Sequence, residues 1–229
     1  IPMNFLGAGQ VADYVNSGNW GASAIKQARL IGTVAIAADC EKDVPTRVPG
    51  VAELKLTPGA AYLHLTSNET ISGAQWKRFP ACDAPLVADM SSDILSRPFD
   101  AKPFSLIYAG AQKNLGPSGV TVVAIRKDFA ARESKSLPAM LRYSTHIDSH
   151  SLYNTPPCFS IYILALVTRW LKAFGLERMH RQNAEKAAML YQRIDASGFY
   201  RGTACKECRS DMNVTFRLPT EELEADFIA

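Results

Sequence analysis

Short apolar segments that recur along the first half of the chain constrain its fold more than any other feature. Each is rich in apolar and β-branched residues, and loops with Asn, Gly, Pro and Ser separate them. A segment with apolar residues at helical spacing, ASAIKQARLIG (22–32), precedes the first of them. Apolar strands of this kind predict an α/β fold with a buried sheet. The strand candidates are TVAIAA (33–38), AYLHLT (61–66), LVADM (86–90), FSLIYAG (104–110) and VTVVAIRKD (120–128).

The hydrophobic period changes in the second half of the chain. Residues 156–195 have a long helical pattern that Gly175 interrupts, and glycine is a common helix end. The segment MNVTFRL (212–218) that follows is typical of a strand. This change of pattern alone predicts a large domain over 1–182 and the start of a smaller α+β C-terminal domain over 183–229.

Composition narrows the classes of partner. The chain has 229 residues, of which 47% are hydrophobic, so it can bury a substantial core. Its net charge of +3 is too small and too dispersed for a nucleic-acid interface. No apolar stretch approaches the roughly 20 residues that span a bilayer. We therefore expect a soluble protein, cytoplasmic or in an organelle, with neither nucleic acid nor membrane as a partner.

Both ends of the sequence are abrupt, which suggests a piece of a longer protein.

The cysteines and histidines do not predict a metal site. Five cysteines are scattered along the chain, which is not a disulfide framework for a protein of this length. Cys205 and Cys208 form one CxxC pair with no second pair and no histidine nearby, so a polar loop is the favoured interpretation. The four histidines have no metal-binding spacing.

Asp89 and Lys113 are the two residues whose positions indicate chemistry. Asp89 lies at the carboxyl end of a strand candidate, where ligands bind open α/β sheets. Lys113 follows the next strand candidate in a turn rich in glycine and proline, so the chain can return to the same edge of the sheet. Pyridoxal phosphate needs a lysine that forms a Schiff base and an aspartate beside its ring nitrogen. A turn aspartate and a solvated turn lysine remain the alternatives.

Five stretches of the chain resemble the phosphoserine aminotransferase family, which consists of fold-type I enzymes that use pyridoxal phosphate. The longest are DMSSDILSRPFD (89–100) and LIYAGAQKNLGPSGVTVVAIRKD (106–128). The others are ADYVNSGNWGASAIKQA (12–28), HLTSNETISG (64–73) and SLYNTPPCFSIYI (151–163). The resemblance runs in order along the whole chain, and it implies a large domain with a mainly parallel sheet.

The resemblance implies roles at five cofactor-binding positions. Lys113 would be the Schiff-base lysine, and Asp89 would hold the pyridine nitrogen. Trp20 would stack on the ring, Thr70 would hydrogen-bond its phenolate, and Gln112 would donate to the phosphate. Without the resemblance, a half-buried surface tryptophan and a capping loop hydroxyl would be the favoured interpretations of Trp20 and Thr70.

The resemblance also implies an obligate homodimer and a particular reaction. Asn154 and Thr155 would reach the cofactor phosphate of the neighbouring subunit, although Asn-Thr-Pro-Pro taken by itself is a turn before a helix. Glutamate would be the amino donor and 3-phosphohydroxypyruvate the acceptor, giving 2-oxoglutarate and phosphoserine in serine biosynthesis. Some family members also act in pyridoxine synthesis, which the sequence leaves open.

The sequence departs from the family in what it does not contain. The glycine-rich phosphate-binding turn and the arginine and histidine residues that bind the substrate in the family have no matching motifs here. We therefore expect the chain alone to be a poor catalyst. Two alternatives stay open: another fold-type I aminotransferase or a lyase, and a non-catalytic remnant that keeps the dimer surface.

Overall fold

The computed structural model describes residues 1–229. Its strands are β1 (Val11–Asn16), β2 (Thr33–Asp39), β3 (Leu63–Thr66), β4 (Asn68–Glu69), β5 (Ala74–Gln75), β6 (Leu86–Asp89), β7 (Phe104–Gly110), β8 (Thr121–Ile125), β9 (Arg201–Gly202) and β10 (Phe216–Arg217). Six of them form the central sheet, with the strand order β2-β1-β3-β6-β7-β8. Neighbouring strands are parallel except β7 and β8, which are antiparallel. The predicted α/β fold with a mainly parallel sheet is therefore confirmed.

All five strand candidates of the first half form strands of this sheet. The last is shorter than its candidate, because it ends at Ile125 and a helix begins at Lys127. The sequence analysis does not predict β1, whose apolar run is interrupted by Asp13. The Asp13 carboxylate is buried and accepts hydrogen bonds from the Thr57 backbone N–H and hydroxyl, both at 2.7 Å. These bonds compensate for burying a charge in a central strand.

The chain also forms seven α-helices. They are α1 (Pro2–Phe5), α2 (Asn19–Ala28), α3 (Lys127–Ala130), α4 (Tyr143–Asp148), α5 (Cys158–Phe174), α6 (Leu176–Asp195) and α7 (Glu221–Ile228). The predicted helix break is confirmed, since Gly175 separates α5 from α6 with a φ of 89°. Such a φ favours glycine because a Cβ would clash with the backbone. No single helix has the length and apolarity to cross a membrane, and only α5 and α6 counted together, with a bend of 91°, reach those values.

The C-terminal part differs from the expected strand. Only Phe216 and Arg217 of the segment 212–218 are in a strand, which pairs antiparallel with β9. The residues before them are held by other contacts: the backbone N–H groups of Met212 and Asn213 donate to the Ser210 hydroxyl. The predicted boundary at residue 182 falls within the continuous helix α6. The division into domains over 1–182 and 183–229 stays a prediction.

Two apolar clusters cover the two faces of the sheet, and β6 contributes side chains to both. In β6, Val87 packs into the cluster of Phe5 and Tyr14, whereas Leu86 and Ala88 pack on the opposite side. Burial on both faces leaves the strand ends as the place where polar side chains reach solvent. The functional residues are therefore expected at an edge of the sheet.

Gly73, in the turn between β4 and β5, contacts the C-terminal segment, and alanine at this position is expected to destabilise the protein. Its φ is 77°, and a Cβ would lie 2.2 Å from the Thr215 hydroxyl oxygen. Gly59 is a matched control, because its φ is 72° and nothing lies within 4 Å of its Cβ position. Gly59→Ala should cost about 1 kcal/mol from the backbone conformation. Gly73→Ala should cost about 1–3 kcal/mol more, because the Thr215 side chain must shift. Urea denaturation of both variants measures the difference, and equal losses would contradict the packing argument.

Candidate active site

The carboxyl ends of three neighbouring parallel strands meet at one edge of the sheet. Thr66 at the end of β3 pairs with Asp89 at the end of β6, and Asp89 pairs with Tyr108 near the end of β7. The Ser91 hydroxyl donates to Asp89 Oδ1 at 2.6 Å and accepts from the Gly110 backbone N–H at 3.0 Å. This serine joins the two strand ends, so the turn with the lysine begins beside the aspartate.

Lys113 lies in a turn whose neighbouring residues are fixed. Ala111 and Leu115 are buried, and the Gly116 backbone N–H donates to the Ala111 carbonyl at 2.8 Å. The Asn114 amide donates to the Ile94 carbonyl. Lys113 itself is exposed between these anchors. The turn therefore presents one free amine at the edge where Asp89 lies, as the sequence predicts.

Trp20 lies opposite this amine in the first turn of α2. The Lys113 Nζ atom is 4.7 Å from the centroid of the Trp20 ring. The indole N–H donates to the Thr70 hydroxyl oxygen at 2.8 Å, which fixes the plane of the ring. Trp20 remains 42% exposed, so part of this large aromatic residue is accessible to solvent beside the lysine. The structure thus brings together Trp20, Thr70 and Lys113, three of the residues singled out from the sequence.

Glu69 holds the start of the helix that carries Trp20. Its carboxylate accepts hydrogen bonds from the backbone N–H groups of Trp20, at 2.9 Å, and Gly21, at 2.8 Å. Glu69 is fully buried, and this burial raises the pKa of its carboxyl group above the usual value, although the two backbone hydrogen bonds oppose the shift. Glu69 is not predicted from the sequence, because nothing local signals a contact with a helix about 50 positions away in the chain.

His64 and Tyr108 lie near Asp89, on the two strands that flank β6. The His64 Nε2 atom and the Tyr108 hydroxyl are 3.0 Å apart. Burial lowers the pKa of His64 to about 4, and the charge of Asp89 only partly opposes this effect. Burial raises the pKa of Tyr108, and the negative charge of Asp89 adds to the increase. Both groups are therefore neutral at pH 7, and Asp89 takes part in none of the salt bridges of the chain.

A pocket of about 310 Å³ opens beside Lys113, and the C-terminal segment forms part of its wall. Asn213 is positioned by the Asn68 amide, which donates to Asn213 Oδ1 at 2.7 Å and to the Ser92 hydroxyl at 2.9 Å. The pocket therefore depends on contacts between residues far apart in the chain, which the sequence analysis did not find. It is lined by Thr70, Ser92, Lys113, Asn114, Met212 and Asn213.

The remaining predicted residues divide between two places. Gln112 is exposed next to Lys113, and its side chain folds over Gly110, where a Cβ would lie 2.6 Å from Gln112 Oε1. Asn154 and Thr155 are exposed in the loop between α4 and α5. Asn154 lines a different pocket, of about 460 Å³, which Lys113 does not line. The structure does not bring these two residues to the Lys113 pocket of the same chain.

The assembled groups suit a flat, electron-poor ligand. A partly exposed aromatic ring, a hydroxyl at its rim, a carboxylate without a salt bridge and a free amine lie at the carboxyl edge of a parallel sheet, where ligands of α/β proteins bind. The carboxylate can hold a cationic nitrogen, the indole can stack on a ring, and the amine can attack a carbonyl. This donor set is compatible with a cationic heteroaromatic ring that carries a carbonyl group.

Comparison with known proteins identifies the class of enzyme that the chain resembles. The family model described as aminotransferase class-V matches residues 2–229, and the chain belongs to this family. It is 55% identical over 231 residues to the phosphoserine aminotransferase of Niallia circulans, covering 100% of the chain and 64% of that protein. The predicted resemblance to phosphoserine aminotransferases is therefore confirmed. The chain spans only 64% of the length of such relatives.

Two solved structures confirm the fold. The phosphoserine aminotransferase from Bacillus circulans subsp. alkalophilus superimposes with a TM-score of 0.96 at 54% identity, covering 99% of this chain and 64% of that one. The phosphoserine aminotransferase from Trichomonas vaginalis, solved with pyridoxal phosphate bound, has a TM-score of 0.92 at 36% identity. It covers 100% of this chain and 66% of the Trichomonas chain. The fold is that of fold-type I aminotransferases.

Proposed function

We propose that the chain forms the cofactor-binding part of a phosphoserine aminotransferase. The reaction transfers an amino group from glutamate to 3-phosphohydroxypyruvate, giving phosphoserine and 2-oxoglutarate for serine biosynthesis. The observation that carries the proposal is the Lys113 amine over the partly exposed Trp20 ring, at the strand ends that also hold Asp89. A location in the cytoplasm stays a prediction from the sequence.

Pyridoxal phosphate is the cofactor that the residues of this site fit. Its ring would stack on Trp20, its ring nitrogen would face the Asp89 carboxylate, and its aldehyde would react with the Lys113 amine. The fit rests on the chemistry of the donor set, since Asp89 has no cation of its own and Lys113 makes no ion pair. The relative from Trichomonas vaginalis binds the same cofactor. When bound, pyridoxal phosphate withdraws electrons from the substrate carbon that carries the amino group.

The residues of the chain would supply the proton transfers and hold the charges. Lys113 would act through Nζ as the base that takes a proton from the substrate carbon and later returns it. Asp89, fixed by two hydrogen bonds from Ser91 to Oδ1, would keep a positive charge on the group it faces. Thr70 would keep the Trp20 ring in its plane through the hydrogen bond from the indole. Gln112 would donate to the cofactor phosphate from beside the lysine.

A homodimer is part of the proposal. Asn154 and Thr155 are exposed and lie away from the Lys113 pocket, so they are free to contact another subunit. Several apolar side chains of α5 are exposed on the same part of the chain, which supports a partner surface there. They include Phe159, Tyr162 and Trp170. Asn154 and Thr155 would then contact the phosphate held by the second subunit.

Two other functions remain candidates, and one experiment separates them. The purified chain is mixed with pyridoxal phosphate, and the visible absorption band is followed after adding L-phosphoserine, L-alanine or L-serine. A phosphoserine aminotransferase should convert phosphoserine at least about tenfold faster than the other two. Equal or faster conversion of alanine or serine would indicate another aminotransferase or a lyase of the same fold. A chain that forms no band would fit a non-catalytic remnant that keeps the dimer surface.

A further inference from the structure

Glu69 makes the most completely buried charged contact near the candidate site. None of its surface is exposed, yet its carboxylate is surrounded by hydrogen-bond donors from the start of α2. The Trp20 backbone N–H donates to Oε2 at 2.9 Å, and the Gly21 backbone N–H donates to Oε1 at 2.8 Å. The Ser17 hydroxyl is a third, longer donor at 3.4 Å. The first N–H groups of a helix lack partners within the helix, so Glu69 provides partners for two of them.

The sequence leaves space for this carboxylate to approach the helix. A Cβ on Gly18 would lie 2.9 Å from Glu69 Cδ, and a Cβ on Gly21 would lie 3.3 Å from Glu69 Oε1. Two glycines on either side of the Asn19–Trp20 pair therefore allow the glutamate to contact the backbone directly. A negative charge is also favourable at this end of a helix, where the helix dipole is positive. The contact is thus well packed and electrostatically favourable.

Glu69 and the next residue in the chain hold the same tryptophan at two points. Glu69 binds the backbone of Trp20, and Thr70 accepts the hydrogen bond from its indole N–H. With both its backbone and its ring fixed, Trp20 holds its ring in one orientation, with the ring centroid 4.7 Å from the Lys113 Nζ atom. Neither contact alone fixes the ring, because a hydrogen bond at the indole leaves the backbone free, and the backbone contact leaves the side-chain dihedral angles free.

We propose that Glu69 is a positioning residue that holds Trp20 where it can stack on the cofactor. This inference rests on the proposed function, because it assigns Trp20 to the cofactor ring. Glu69 touches neither substrate nor cofactor in this role. Its effect passes through the first turn of α2, so removal of the charge should weaken cofactor binding only when Trp20 is present.

The test compares Glu69→Gln with a matched control, Glu133→Gln. Glu133 is also a buried carboxylate at the start of a helix, where it accepts from the Ser144 backbone N–H at 2.8 Å, but it lies outside the proposed site. The measured quantities are the dissociation constant of pyridoxal phosphate and the circular dichroism of its visible band. Glu69→Gln places an amide N–H against a backbone N–H, so the dissociation constant should rise about tenfold and the dichroism should weaken. Glu133→Gln should change neither.

The same substitution made in a protein that lacks Trp20 distinguishes a positioning role of Glu69 from a general loss of structure. In a Trp20→Leu protein, Glu69→Gln should change the dissociation constant by less than about twofold, because interacting residues have non-additive effects. An equal loss in both backgrounds, or no loss with Trp20 present, would overturn the inference. If Glu69→Gln does not fold, Glu69→Asp replaces it, since the shorter side chain withdraws the carboxylate from both N–H groups. The parent chain is measured first, and a parent that forms no visible band would refute the proposed function and this inference together.

Discussion

Lys113→Ala is expected to abolish covalent capture of pyridoxal phosphate. The parent chain should develop a visible absorption band with the cofactor, and borohydride should fix the cofactor to the protein irreversibly. Without the Lys113 Nζ atom no other amine lies over the Trp20 ring, so the variant should show neither the band nor the fixed adduct. Absorption spectra before and after borohydride, followed by mass spectrometry of the modified peptide, measure both properties.

Lys102→Ala is the matched control for this experiment. Lys102 is an exposed lysine just before β7, whereas Lys113 follows the other end of the same strand. Reaction of a surface amine with an aldehyde would be lost to a similar extent in either variant. Loss of the adduct in Lys113→Ala alone would identify Lys113 as the reactive residue. An adduct that persists in Lys113→Ala would contradict the assignment, and absence of the band in the parent would leave Lys113 as a turn residue.

The central sheet could be predicted from the sequence because its strands carry a local signal. Strands such as β7 are mostly apolar and are bounded by turn residues, so no distant contact is needed to find them. β1 has no such signal, because Asp13 is tolerated only through hydrogen bonds from Thr57, which lies 44 positions away. The segment 212–215 was expected to be extended within a strand, yet the backbone N–H groups of Met212 and Asn213 donate to the Ser210 hydroxyl instead.

The same distinction between local and distant signals applies to the site. Asp89 ends β6 and Lys113 follows the adjacent strand β7, so the topology of an α/β sheet is enough to bring them to the same edge. Trp20 and Thr70 were expected from the resemblance to a family, and the structure places them in contact. Asn213 could not be found in this way. It reaches the site through a hydrogen bond from Asn68, which is 145 positions away in the chain.

The position of Asp89 explains why its charge should matter more than its shape. It ends β6 and accepts two hydrogen bonds from Ser91, and the neighbouring His64 and Tyr108 are neutral at pH 7. Asp89 is only partly buried, and no lysine or arginine of the chain pairs with it. A carboxylate with this environment attracts a cation strongly, because a charge near the protein interior is less screened than one in water.

Asp89→Asn is therefore expected to separate cofactor capture from reaction. Asparagine keeps the size of the side chain but loses the negative charge, so Lys113 should still capture pyridoxal phosphate while the reaction with phosphoserine slows at least about a hundredfold. Stopped-flow absorbance in a single turnover measures this rate. Asp39→Asn is the control, because Asp39 ends β2 at the same edge of the sheet and contacts Asn16 rather than the candidate site. If both variants react at the parent rate, the charge of Asp89 does not serve the reaction, and its place at the strand end is structural.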